Sequence, residues 1–120
     1  MEEYREKQRI IQELVPGKQI TLAHIIANPD EILYKKLGLD PAVEYSRSAI
    51  GILTLSPAET AIIAGDIAIK SSGAQLGFVD RFSGTVIITG TYSEVEASLR
   101  AITEYAKKTL GFTVCALTKT

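Results

Sequence analysis

Apolar and polar positions along the chain alternate in two ways. From Gln19 to Ile26 the residues are β-branched and apolar with little charge, and Asn28-Pro29-Asp30 stops them, which predicts a strand. Asn28 is a suitable N-cap, Pro29 suits a first helical position, and Gly38 can close a helix in the left-handed region, so a short helix is expected over Pro29–Leu37. Ala49 to Leu55 is a continuous apolar run, as in a central strand buried on both faces. Ser56-Pro57-Ala58-Glu59 reads as a capping box that opens a helix running to about Ser71. Within it Ala61, Ala64, Gly65 and Ala68 form a small-residue face that allows close backbone approach, with Ile62 and Ile69 supplying bulk.

Gln75–Phe82 and Thr85–Gly90 flank Ser83-Gly84, a two-residue hairpin signal, so these strands are expected to be antiparallel neighbours. Ser93-Glu94-Val95-Glu96 repeats the capping-box pattern. Val95, Leu99, Ile102, Ala106 and Leu110 then mark one apolar stripe, and Gly111 ends the helix. A last strand is expected over Phe112–Leu117. The order predicts a single α+β domain, a sandwich of helices on a mostly antiparallel sheet, with no polar linker dividing it.

Composition narrows the function classes. The 120 residues, 46% hydrophobic and 22% charged, suit one globular domain. A formal net charge of -1 gives no broad attraction to phosphate backbones or anionic lipid, so neither nucleic acid nor membrane is an expected partner. The first residues lack the basic and apolar regions of a secretion signal, no apolar run approaches the ~20 residues of a membrane span, and a single cysteine suits a reducing compartment. A cytoplasmic protein is expected.

Candidate chemistry is sparse. His24 is the sole histidine and sits in a strand-like segment, where a hydrogen-bonded structural role is favoured over a catalytic one. Cys115, among β-formers, reads as a buried inert thiol, and Asp66 in an apolar helix as a structural carboxylate. No motif suits a metal, nucleotide or other cofactor, so no enzyme is expected. Asp80-Arg81-Phe82-Ser83-Gly84 places a charged pair and an aromatic at a tight hairpin, which a symmetric ring would copy around its axis.

The leader poses a separate question. Propensity alone makes Glu2 to Val15 helical, with Ile10, Ile11, Leu14 and Val15 at helical spacing. A helix this short is marginal unless packed, and as a strand it would present an open edge. Either form implies a partner.

The segments Ile10 to His24, Gly51 to Pro57 and Gly77 to Gly84 closely resemble the circularly permuted bacterial microcompartment shell proteins of the ethanolamine-utilization and propanediol-utilization type. The resemblance spans nearly the whole chain from Arg9. It implies a circularly permuted sandwich, called the BMC domain, that self-associates into a homo-hexameric flat tile beside other shell proteins. It further implies that Ile10, Ile11, Gln12, Glu13, Leu14 and Val15 form a short strand, six copies closing a parallel barrel over one end of the central axis. Residues 1–9 would then be a flexible tail and residues 18–120 the α+β core. By position, Arg81, Phe82, Ser83 and Gly84 match the hairpin that approaches the pore, and Lys70 matches a lysine of tile edges. Asn28 stands where ordinary shell proteins carry an edge arginine before proline, and the loop Asp40 to Ser48 is longer than the family pattern. A structural subunit of a microcompartment shell follows, with targeting peptides of encapsulated enzymes as further partners. Ethanolamine, propanediol and choline compartments all fit. The alternative from another class is an oligomeric ligand-binding regulatory module of ferredoxin-like α+β build, which would need a concave pocket with convergent polar groups.

Overall fold

A computed structural model describes residues 17–39 and 48–120. The expected strand, loop and tail roles of residues 1–16 and 40–47 lie outside the described residues. In chain order the elements are β1 (Gln19–Ile26), α1 (Glu31–Lys36), β2 (Ala49–Ser56), α2 (Thr60–Ser71), β3 (Gln75–Asp80), β4 (Thr85–Gly90), α3 (Tyr92–Lys108), β5 (Thr113–Val114) and β6 (Thr118–Lys119). The sheet runs β3-β4-β2-β1-β5, with β6 also pairing β1.

The sheet is mostly antiparallel, as expected, with two short parallel pairings at one edge that make it mixed. β1, β2, β4 and β3 pair antiparallel in turn, whereas β5 and β6 both lie parallel to β1. The single closing strand expected over Phe112–Leu117 is instead two short pieces. β5 pairs with Gln19 and Ile20, and β6 with His24 and Ile25. On its other edge, toward β2, β1 carries a register shift between Ile20 and Leu22.

Period-2 alternation puts Ala49, Leu53 and Leu55 of β2 on one face with Val86 and Ile88 of β4, and α2 and α3 cover it. Val95, Leu99, Ile102 and Ala106 of α3 are all buried there, so the apolar stripe is the core contact. Gly51 lets α3 approach closely, since a Cβ at that position would come within 2.7 Å of Val95 Cγ1. Ala61, Ala64, Gly65 and Ala68 of α2 face inward, and Ser98 of α3 ties the two helices by donating to the Ala68 carbonyl at 3.2 Å. On the other face α1 seats Tyr34 against Ile50 and Ile87, and the Tyr34 hydroxyl donates to the Ser48 carbonyl.

The helix starts differ from expectation by a few residues. Asp30, not Asn28, caps α1, its Oδ1 accepting from Ile32 N at 3.0 Å. Ser56 does not cap α2 because it remains in β2 opposite Gln19; the helix begins at Thr60 with no side-chain cap. Thr91 rather than Ser93 caps α3, where Thr91 Oγ1 accepts from Glu94 N at 3.2 Å and Glu94 Oε1 from Thr91 N at 2.9 Å. Thr91→Ala removes half of this reciprocal pair and should lower unfolding free energy by about 1 kcal/mol, read from a urea midpoint, whereas Ser93→Ala should leave that midpoint near wild type.

Candidate assembly surfaces

The β3–β4 connection is a four-residue tip, Arg81 to Gly84, rather than the two-residue turn expected at Ser83-Gly84, and β3 ends at Asp80 rather than Phe82. The reason is the aspartate. Asp80 Oδ1 accepts from Phe82 N at 2.9 Å and Oδ2 from the Ser83 hydroxyl at 2.8 Å, bending the chain off the ladder at once. Gly84 N donates to Asp80 O at 2.9 Å, and Leu55 N donates to Gly84 O at 2.8 Å, which pins the tip to the end of β2. The Arg81 guanidinium lies 5.0 Å from the centre of the Phe82 ring, itself 81% exposed. The turn-forming role of Asp80 was missed in the sequence, although aspartate opening such a turn is a common signal.

The amide of Phe82, and then the Ser83 hydroxyl, hold the Asp80 carboxyl below the ordinary aspartate range. A depressed folded pKa means that the ionised form supports the fold. Its contribution is complete above the unfolded aspartate pKa and disappears as pH falls through the lower folded value. Amide exchange at Phe82 should therefore stay protected from neutral pH into the mildly acidic range and rise below it. Asp80→Asn should abolish that pH dependence.

Two further surfaces are apolar and open. On α2 Ile62 and Ile69 are 53% and 54% exposed, so they project outward rather than bulking the helix contact. Between them Asp66 Oδ2 meets Lys70 Nζ at 2.9 Å, an exposed i,i+4 pair. At the sheet edge β3 presents Leu76 and Phe78, both substantially exposed, along a strand with no partner on its outer side among the described residues. Asn28 is exposed just beyond the end of β1, where Thr120 O accepts from Ala27 N at 2.9 Å. Arg81 to Gly84 are thus one unit, whereas Lys70 and Asn28 belong to separate elements. Residues 10–15 lie outside the described residues.

The remaining candidates have structural surroundings. His24 Nδ1 lies 2.6 Å from Thr118 Oγ1 and Nε2 lies 3.0 Å from Thr120 Oγ1, so both ring nitrogens are engaged by threonines. Cys115 is half-buried beside the core rather than fully enclosed, its amide bonded to Ile20 O. Among the described residues no cluster of three His, Cys, Asp or Glu side chains could hold a metal, and no helix is long and apolar enough to cross a membrane.

Comparisons with known proteins bear on the fold and the family. The BMC domain family matches residues 49–118. The chain is 52% identical over 120 residues to the bacterial microcompartment shell protein PduU of Salmonella typhimurium, covering 100% of both chains. It is 53% identical over 113 residues to the shell protein EutS of the same organism, covering 94% of this chain and 97% of that one. Among solved structures, the CutR flat hexamer superposes with a TM-score of 0.80 at 51% identity, covering 88% of this chain and 94% of the other.

Proposed function

Because the chain belongs to the BMC-domain shell proteins of bacterial microcompartments, a family of structural rather than catalytic proteins, we propose that six copies close into a flat ring that tiles a compartment shell in the cytoplasm. The observation that carries this reading is the open apolar surface: among the described residues Ile62 and Ile69 on α2 and Leu76 and Phe78 on β3 are large and substantially exposed. Such patches mark surfaces that another protein covers. The likeness to a flat hexamer at 51% identity supports a copy of the same chain as that cover.

The two surfaces have different places in the ring. β3 leads directly into the tip at Arg81 to Gly84, so a tip turned toward the axis aligns the β3 edge with the neighbouring copy. α2 then faces the rim, with Ile62, Ile69 and Lys70 meeting the next tile, and Asn28 stands in place of an edge arginine. The leader residues 10–15 join their counterparts in a small parallel barrel over the axis, which removes every open strand edge and shields Ile10, Ile11, Leu14 and Val15. The start of the family match at residue 49, with β1 and α1 before it, supports the permuted order. Bulk metabolite flow would pass elsewhere in the shell, because the barrel obstructs the axis.

Electron microscopy of the purified protein tests the reading: flat sheets with sixfold units are expected, and particles without rotational symmetry would contradict it. The barrel's outer surface would recruit a targeting peptide of an encapsulated enzyme. In a pull-down, deletion of residues 1–17 should abolish that capture; unchanged capture would refute the recruitment.

A further inference from the structure

β6 does more than close the sheet: with the segment before it, it forms one wall of a groove whose other wall is α3. That wall is held in place. Thr118 Oγ1 meets His24 Nδ1 at 2.6 Å, Thr120 N donates to Ile25 O at 2.9 Å, and Thr120 O accepts from Ala27 N at 2.9 Å. Facing it, Tyr92, Glu96 and Arg100 follow one another at four-residue spacing along one side of α3. The space between is about 150 Å³, with the apolar side chains of Ile25 and Leu117 in its lining. A space of that size takes a molecule of about benzene's bulk.

The charges in this groove do not balance. Glu96 is its one carboxylate, against Arg100 and Lys119. Glu96 Oε2 accepts from the Tyr92 hydroxyl at 3.4 Å and from Arg100 Nη2 at 3.3 Å, which occupies only part of the guanidinium fork. Lys119 has no carboxylate partner among the described residues; its Nζ lies 5.6 Å from the centre of the Tyr92 ring. An ammonium already held against a ring loses less freedom on binding than a free one. One positive charge is thus left over beside an apolar surface. A carboxylate matches the free part of the arginine fork, and its single charge restores the balance. A hydrocarbon tail on that carboxylate would cover Ile25 and Leu117, which a phosphate ion cannot do. We propose that the α3–β6 groove binds a small aliphatic monocarboxylate, its head held by Arg100 and Lys119 and its tail lying on Ile25 and Leu117.

Methyl NMR of the full-length protein titrated with pentanoate at low salt tests this, with light-scattering mass measured on the same samples. The expected result is a saturable shift of the Ile25 and Leu117 methyls while those of Ile62 and Ile69 on α2 stay still. Pentanol, which has the tail without the charge, and inorganic phosphate, which has the charge without the tail, should each bind about tenfold more weakly. Arg100→Gln and Lys119→Gln should each weaken pentanoate about fivefold, and Lys119→Arg should keep most of the affinity, with core methyl signals unchanged in all three. Absence of a saturable shift in wild type would overturn the inference. So would pentanol binding as tightly as pentanoate, which would make the groove a plain apolar hollow, or phosphate doing so, which would make it a bare cationic patch. Glutamine variants that titrate like wild type would overturn it as well. The site belongs to one chain, so its failure leaves the ring mass and the shell reading untouched, and a protein that binds pentanoate without forming the ring would contradict the shell reading alone.

Discussion

Gly84→Ala is expected to lower the unfolding free energy by about 3 kcal/mol, a large share of a small domain's stability. Two costs combine. Gly84 has φ +77, a left-handed conformation that costs an L-residue roughly 1–2 kcal/mol. In addition, an added Cβ would lie 2.2 Å from the Leu55 carbonyl oxygen and 3.2 Å from Ala58 Cα. Both are backbone atoms that cannot swing aside, and Leu55 is also the residue whose amide binds Gly84 O. The tip must therefore lift away from the end of β2. Gly38 provides the control: its φ is +70, yet nothing lies within 4 Å of a Cβ built there. Gly38→Ala should show the conformational cost alone, about 1 kcal/mol, in urea unfolding at matched protein concentration. If the two variants cost the same, the tip is not pinned as described.

The second large effect is on assembly rather than folding. The double variant Ile62→Glu with Ile69→Glu should keep its helical circular dichroism and the mass of the ring but fail to form sheets. Both side chains are about half exposed and lie on one side of α2 with Asp66 and Lys70, so the fold itself loses little. Covering the exposed half of an isoleucine contributes about 1 kcal/mol. At a twofold contact each tile supplies the same pair, so the loss approaches 4 kcal/mol before the repulsion between the new carboxylates is added. That corresponds to roughly a 10³-fold rise in the concentration needed for sheets. Sheets persisting at wild-type concentrations would show that α2 is not the rim. A fall in ring mass would place α2 between copies within the ring instead.

Much of the core was legible because its pattern admits one answer. Val95, Leu99, Ile102 and Ala106 recur at helical spacing and are at most 3% exposed. Ala61, Ala64, Gly65 and Ala68 could be read as a close-contact face for the same reason. Other features depended on choices that spacing cannot make. Thr91 and Ser93 are both competent caps, and strand pairing to Gln19 claims Ser56 before it can serve as one. The last segment pairs with β1 only at Thr113–Val114 and Thr118–Lys119, a division that nothing in the apolar run Phe112–Leu117 marks. At the hairpin, Gly84 was rightly singled out, but Asp80 sets the length of the turn through its side chain. The outward direction of Ile62 and Ile69 was not legible, since an isoleucine reads the same whether its neighbour is another helix or another molecule. The family likeness, rather than periodicity, is what supports proposing a second copy as the cover for these surfaces.

The central claim, that the open apolar surfaces of each chain are covered by copies of itself in a closed ring, is tested most directly by mass in solution. Multi-angle light scattering on the purified full-length protein, across dilution through the micromolar range, should return six times the 13.0 kDa chain and no stable smaller species. A monodisperse 13.0 kDa particle that persists at high concentration would contradict it.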